Sequence, residues 1–235
     1  MTTAHSTIER LRGQLVVSCQ AAAGTPFEPT VHIVALARSA VLGGAKAVRI
    51  EGIDNVRAVR AAVDVPIIGI VKAQHPGSDA FITTQTDEVD GLVDAGAEII
   101  AFDATHRARP VPVADLVAHI LGRGRGVMAD ISTFEEARYA VASGAHVAGT
   151  TLAGYTSYSN DIPGPDFALM QALAAARLAF VAEGRIWSPA EAAQALELGA
   201  QFVVVGSAIT RPDEITRRYA EAVEAAGRSS LVANT

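Results

Sequence analysis

The sequence is poor in residues that would point to an extracellular, membrane or nucleic-acid setting. It holds one cysteine, Cys19. A single thiol excludes an intramolecular disulfide framework and suits a reducing compartment. Cys19 follows an apolar run, so it reads as a small buried residue and not as a catalytic thiol. Charged residues make up 19% of the chain, the net charge is −6 and no basic run occurs, which argues against nucleic acid as a partner. No apolar stretch approaches the ~20 residues that span a bilayer, and the opening MTTAHSTIERLRG carries no apolar signal core. A cytoplasmic protein with no membrane partner is expected. The six histidines are scattered and lack HExxH or i, i+4 spacing, so no His-based metal site is expected; Asp103 and Asp130 could share a divalent ion through their oxygens, but nothing in the spacing demands it and no metal is expected.

Half of the 235 residues are apolar, with few aromatics, and alanine, valine and isoleucine dominate. Such residues suit parallel strands buried on both faces. Apolar runs are expected as strands over 15–18, 47–50, 67–71, 98–102, 126–129 and 146–149, then from Phe180, then in QFVVV before Gly206. Helical stretches separate them, over 32–42, 53–62, from a Thr86 cap to Gly96, 113–121, from Ser132 or Thr133 to Gly144, 167–175, and SPAEAAQALELGA. A short helix over 6–12 leads in. A last helix from Asp213 to about Ala226 precedes a frayed tail, 227–235. Eight alternations at this length, with no linker, predict one domain over 1–235, a single (β/α)8 TIM barrel of the phosphate-binding type. An open doubly wound sheet would need an early GxGxxG turn, and the first strand ends in SCQAAAG instead.

The polar groups fall at the strand tips. Gln20, Arg49 with Glu51, Lys72, Asp103, Asp130, Thr150 with Thr151, Glu183, and Gly206 with Ser207 each close an apolar run. In a barrel these tips share one rim, where active sites sit. Glu183-Gly184-Arg185, followed one unit later by Gly206-Ser207, is the pattern by which the last two units make a phosphate site. Arg211 either closes over that phosphate or belongs to the surface of the last helix. Lys72, behind five apolar residues and near Arg49, would have its ammonium form disfavoured. It could then act as a base or as an amine nucleophile, or instead ion-pair with Asp103 or Asp130. Glu183 is the second catalytic candidate, with pairing to Arg185 or Lys72 as the alternative. Tyr155 and Tyr158 lie in the long loop LAGYTSYSNDIPGPD and could cover a ligand.

SCQA, PIIGIVK, DAT, MADIST, TTLAGYTSYS, AEGRI and VVVGSAITRP, with VRIEG at Arg49, occur in order along the chain. Together they resemble the N-acetylmannosamine-6-phosphate 2-epimerase family. The resemblance implies a phosphate-binding barrel that interconverts N-acetylmannosamine 6-phosphate and N-acetylglucosamine 6-phosphate in sialic acid and amino-sugar breakdown, with no organic cofactor. It implies Lys72 as the base at C2 and Glu183 as the ring-opening acid/base. Gln20, Arg49 and Asp130, together with the rim residues Thr151 and Tyr155, would hold the sugar. Gly184, Arg185, Gly206, Ser207 and Arg211 would hold the phosphate. The chain departs from the family at Ala73-Gln74-His75, where an arginine, an acidic or amide residue and a tyrosine are usual, and at Trp187, where a small or polar residue is usual. Two other readings fit the same rim: a Schiff-base phosphosugar aldolase acting through Lys72, and a phosphosugar-binding barrel without catalysis. A homodimer is compatible with the sequence, which does not decide it.

Overall fold

The computed structural model describes residues 4–159 and 161–232. Eight parallel strands close a barrel in chain order: β1 (Leu15–Cys19), β2 (Ala47–Glu51), β3 (Ile67–Ile70), β4 (Ile99–Asp103), β5 (Gly126–Asp130), β6 (Val147–Gly149), β7 (Phe180–Glu183) and β8 (Val203–Val205), with β8 pairing back onto β1. Helices α2 (Thr30–Leu42), α3 (Ile53–Arg60), α4 (Thr86–Asp94), α5 (Val113–Gly122), α6 (Phe134–Ala142), α7 (Phe167–Ala175) and α8 (Pro189–Glu197) follow the first seven strands. The four-residue α9 (Ser207–Thr210) and the long α10 (Pro212–Val232) follow the eighth.

Two apolar cores result from the two-residue period of the strands. Val17, Val48, Ile50, Ile100, Phe102, Val127 and Ala182 face outward and pack under the helices. Val16, Ala47, Ile68, Ile70, Ala101, Met128, Val147, Val181 and Val204 face inward and fill the barrel. The register carries on to the tips. Two residues beyond these inward positions lie Ser18, Arg49, Lys72, Asp103, Asp130, Gly149, Glu183 and Gly206. Arg49 therefore occupies the inward register, which accounts for a charge inside an otherwise apolar strand. The opposite end of the barrel is stoppered by α1 (Ala4–Arg10) and its exit, which place Ile8 and Leu11 in the interior core.

Some boundaries differ from the sequence reading. The lead-in helix is Ala4–Arg10, not 6–12. Gln85, not Thr86, caps α4, and the Glu88 carboxylate accepts the N–H groups of Gln85 and Thr84 at 3.1 and 2.6 Å. Lys72 lies outside β3, in an isolated antiparallel bridge with Ile82. The last helix, expected to stop near Ala226, continues to Val232, so the expected tail is helical that far. Residues 233–235 lie outside the described residues. Of the two cap candidates for α6, Thr133 is the cap, accepting the Glu136 N–H at 3.3 Å.

Candidate active site

A cavity of about 590 Å³ opens at the C-terminal rim of the barrel. That volume is within the usual range for small-molecule sites. Its wall brings together Gln20, Lys72, Thr151, Tyr155, Glu183, Gly184, Arg185, Gly206, Ser207 and Arg211, ten of the twelve residues singled out in the sequence. The other two, Arg49 and Asp130, lie beneath it. They are 1% and 0% exposed and lie outside its wall.

The floor is a buried charge cluster. Arg49 grips Asp130 with both terminal nitrogens, Nη1 to Oδ1 at 3.1 Å and Nη2 to Oδ2 at 2.6 Å. Nη1 also donates to Glu183 Oε2. The Thr151 hydroxyl lies 2.7 Å from Asp130 Oδ1 and 3.2 Å from Glu183 Oε2. Two-pronged pairing of this kind fixes an orientation as well as a charge. Burial alone works against the Arg49 charge, but Asp130 and then Glu183 outweigh it and hold the guanidinium protonated. Gly149 makes room for the cluster. A Cβ there would sit 2.6 Å from Met128 Cε and 3.1 Å from Asp130 Oδ1.

Glu183 stands on that floor with its carboxyl at the cavity. Burial pushes its pKa up to about 7, helped by Asp130 and opposed by Arg49, Thr151 and Lys72. Its backbone is tied to the turn after β6, where Thr150 Oγ1 donates to Glu183 O at 2.9 Å and accepts from Glu183 N at 3.1 Å. A carboxyl that titrates near neutrality can both give and take a proton. Lys72 lies across the rim on the β3 side. Its pKa is lowered, first by burial and then by the Arg49 charge, against the pull of Glu51, Glu183 and Asp130. The side chain still reaches solvent in the open cavity, while the packed rim around it disfavours charge. Among the described residues its amine has no ion pair, neither with Asp103 nor with Asp130.

The residues around the amine are held by the chain that follows. Segment 80–83 folds back over β3, with Thr83 N donating to Val71 O at 2.8 Å and Ala73 N to Phe81 O at 3.0 Å. Thr83, fully buried, takes a left-handed φ of 44°, and its hydroxyl accepts the Val71 N–H at 3.1 Å. Asp103 is spent elsewhere. It accepts from Thr105 Oγ1 at 2.6 Å and from Arg107 at 2.5 Å, and it does not border the cavity.

On the opposite side, Gly184 takes φ 105° and Gly206 leads into α9. The first N–H groups of α9 have no partner within the helix. Arg211 is oriented by Asp213, with contacts of 3.0 and 2.7 Å, and by Glu214 at 3.3 Å. Arg185, with φ 58°, lines the cavity but turns its guanidinium to the loop after β6. It donates to Gly154 O at 2.7 Å, to Ile162 O and to Asp161 at 3.1 Å, and it stacks 4.6 Å from the Tyr155 ring centre. Among the described residues no group of three or more His, Cys, Asp or Glu side chains is placed to hold a metal ion.

The NanE family, described as "Putative N-acetylmannosamine-6-phosphate epimerase", matches residues 33–225. The chain belongs to this family. It is 47% identical over 92% of its length to a protein from Vibrio cholerae named "Putative N-acetylmannosamine-6-phosphate 2-epimerase", covering 90% of that protein. It is 47% identical over 95% of its length to a bifunctional NanE/NanK enzyme of Brucella melitensis, and there it spans only 43% of the relative. Among solved structures, the N-acetylmannosamine-6-phosphate 2-epimerase of Clostridium perfringens aligns with a TM-score of 0.89 at 40% identity, covering 92% of this chain and 95% of that one. The barrel and the family expected from the sequence motifs are thus borne out.

The cavity wall also holds residues to which the sequence reading gave no role of their own, although it placed Glu51 on the rim. Ser18 and Glu51 border the cavity, and both lie in the inward register that marks Arg49 and Lys72, a signal the sequence did contain. Trp187 and Glu214 border it from a loop and from α10, and no strand pattern points to them. Trp187 is capped by Arg218, whose guanidinium carbon lies 3.6 Å from the ring centre. His75, within the departure from the family pattern, turns to Glu88 at 2.8 Å and Gln85 at 2.7 Å instead of to the cavity.

Proposed function

We propose that the protein inverts C2 of N-acetylmannosamine 6-phosphate to give N-acetylglucosamine 6-phosphate, as a step in amino-sugar breakdown. The observation that carries this is a lysine of lowered pKa and a carboxyl of pKa about 7 on opposite sides of one cavity. The phosphate would sit against the amides of Gly184, Gly206 and Ser207, with Arg211 and Arg185 as nearby cations. The overall charge of −6 makes such local cations necessary for an anionic substrate. Binding energy at that remote end is available to position the carbon that reacts.

Chemistry begins with ring opening, because the C2 hydrogen becomes acidic only next to an open-chain aldehyde. Glu183 takes the O1 proton as its ionised form and returns a proton to O5, which opens the ring. Neutral Lys72 then removes the C2 proton, and the electrons move to the aldehyde oxygen to give an enolate whose C2 still carries the acylamino group. Donors already in place stabilise that charge more cheaply than water, which must reorganise. The Lys72 ammonium returns the proton once the enolate has turned its other face to it, which gives the epimer and restores the neutral amine, and ring closure reverses the first step. Arg49 and Asp130 act from below by holding Glu183 and Thr151. Gln20 and Tyr155 complete the sugar side. The reaction calls on no organic cofactor.

A second copy is the expected partner, and the cytoplasm the expected location. An apolar groove of about 380 Å³, lined by Leu15, Trp187, Pro189, Leu196, Val205 and Ile209 among others, is left uncovered beside β8, while α10 exposes Tyr219 and Val223 at 72% and 70%. Two such apolar surfaces suit burial between protomers, and light scattering during size exclusion tests for a dimer. No described helix is long and apolar enough to cross a membrane. The activity is tested by giving purified protein N-acetylmannosamine 6-phosphate and following the H1 signals of both epimers by NMR. Approach to a mixture of the two is expected, and an unchanged spectrum refutes the proposal.

A further inference from the structure

We infer that Glu51 and a side cavity next to the main one form the subsite for the N-acyl group at C2, and that this subsite takes acyl chains longer than acetyl. The inference rests on the epimerase reading above. The side cavity measures about 380 Å³ and shares Gln20, Ala21, Ala23 and Glu51 with the main cavity. Its own walls include the carboxylates Glu28 and Asp54 as well as Thr30, Ile33, Ile53 and Asn55. These carboxylates disfavour an anionic substituent, whereas a neutral acyl chain can lie against Ile33 and Ile53.

The direction follows from the rim. With phosphate over β7 and β8 and C2 at Lys72 after β3, the nitrogen on C2 lies at the far end of the sugar from the phosphate. On the β4 side of Lys72 the way is closed. Segment 80–83 covers it, Ile82 is 2% exposed inside the barrel, and the Lys72–Ile82 bridge fixes the segment there. The β1–β2 side remains open, and there the main cavity runs into the side cavity at Glu51.

Glu51 is the third inward position of β2, after Ala47 and Arg49. Its carboxylate has no hydrogen-bond or ion-pair partner among the described residues; its backbone carbonyl accepts from Asn55 at 2.9 Å. It lies near enough to Lys72 to favour the ammonium charge. A free acceptor at the junction matches the single N–H of an acylamino group, and bonds to a charged acceptor are the stronger kind. An acetyl group has three heavy atoms. At the ~30 Å³ share that water takes in the liquid, it needs on the order of 90 Å³, well below the side-cavity volume.

The test compares the N-acetyl, N-propanoyl and N-butanoyl derivatives of mannosamine 6-phosphate by NMR with the full chain and two variants. Wild type is expected to keep kcat/KM within about 5-fold across the series. Thr30→Phe, at an exposed residue of the side cavity alone, is expected to lower kcat/KM for the N-butanoyl sugar at least 10-fold more than for the N-acetyl sugar, the size of effect a misfit methylene produces. Glu51→Ala is expected to raise KM for the N-acetyl sugar about 10-fold with a smaller change in kcat. The subsite is overturned if the N-acetyl sugar turns over but wild type loses more than 10-fold on going to propanoyl, if Thr30→Phe affects all three alike, or if Glu51→Ala leaves KM untouched. If none of the three sugars turns over, the epimerase reading falls and takes the subsite with it.

Discussion

Replacing Glu183 by glutamine removes a carboxyl whose folded-state pKa is about 7, raised from 4.5 chiefly by burial. A group with a raised carboxyl pKa binds its proton more tightly folded than unfolded. Below 4.5 both states hold the proton and nothing is lost. Between 4.5 and about 7 only the folded state holds it, so stability falls as pH rises through that window, and above it the loss is complete. The gap corresponds to at most about 3 kcal/mol. Glutamine is neutral at every pH and keeps an oxygen for the Arg49 bond. Glu183→Gln should therefore gain on wild type by up to about 3 kcal/mol between pH 5 and pH 8, while turnover collapses. At ~2–4 °C per kcal/mol for a chain of this size, the difference is readable in thermal unfolding, with urea unfolding at both pH values as the equilibrium check. A stability difference between variant and wild type that is the same at pH 5 and pH 8 would refute the raised pKa and the acid/base role built on it.

The other predictions address the floor and the loop. Asp130→Ala leaves Arg49 with one carboxylate and should destabilise by about 3–5 kcal/mol, the usual cost of breaking a buried pair, measured by urea unfolding. It should also let Glu183 ionise at lower pH, since Asp130 raises that pKa. Gly149→Ala places a Cβ 2.6 Å from Met128 Cε and 3.1 Å from Asp130 Oδ1, and should cost about 1–3 kcal/mol by overpacking, with a fall in kcat as the floor shifts. Gly154→Ala combines φ 77° with a Cβ only 2.3 Å from Arg185 Nη1. It should release Arg185 from the loop and change KM for the phosphosugar more than kcat, which steady-state kinetics reads directly.

The barrel and its rim were legible because two local rules coincide. An apolar run that ends in a polar residue marks a strand tip, and the two-residue period sends alternate tips inward. Lys72, Glu183 and Asp130 obey both rules and Arg49, inside its strand, obeys the second, so the sequence places them on one side of the barrel wall. Local patterning does not say how deep a residue lies. Arg49 and Asp130 neutralise each other and stay below the floor, whereas Lys72, after the end of β3, stands free. Nor does it reveal loop contacts. The turn of Arg185 toward the carbonyls of Gly154 and Ile162, the fold-back of Thr83 onto Val71, and the arrival of Trp187 and Glu214 at the cavity all join residues far apart in sequence. The full length of α10 was missed because its last turns carry no clear apolar period to set against the polar tail.

The most direct measurement follows deuterium entering C2 of N-acetylmannosamine 6-phosphate in heavy water, with wild type and Lys72→Ala side by side. Wild type should exchange the C2 hydrogen for deuterium as the epimer appears, and Lys72→Ala should slow both by at least ~10²-fold, the lower range for loss of a positioned base. Exchange in Lys72→Ala at the wild-type rate would contradict the account, and so would borohydride trapping of the substrate on Lys72.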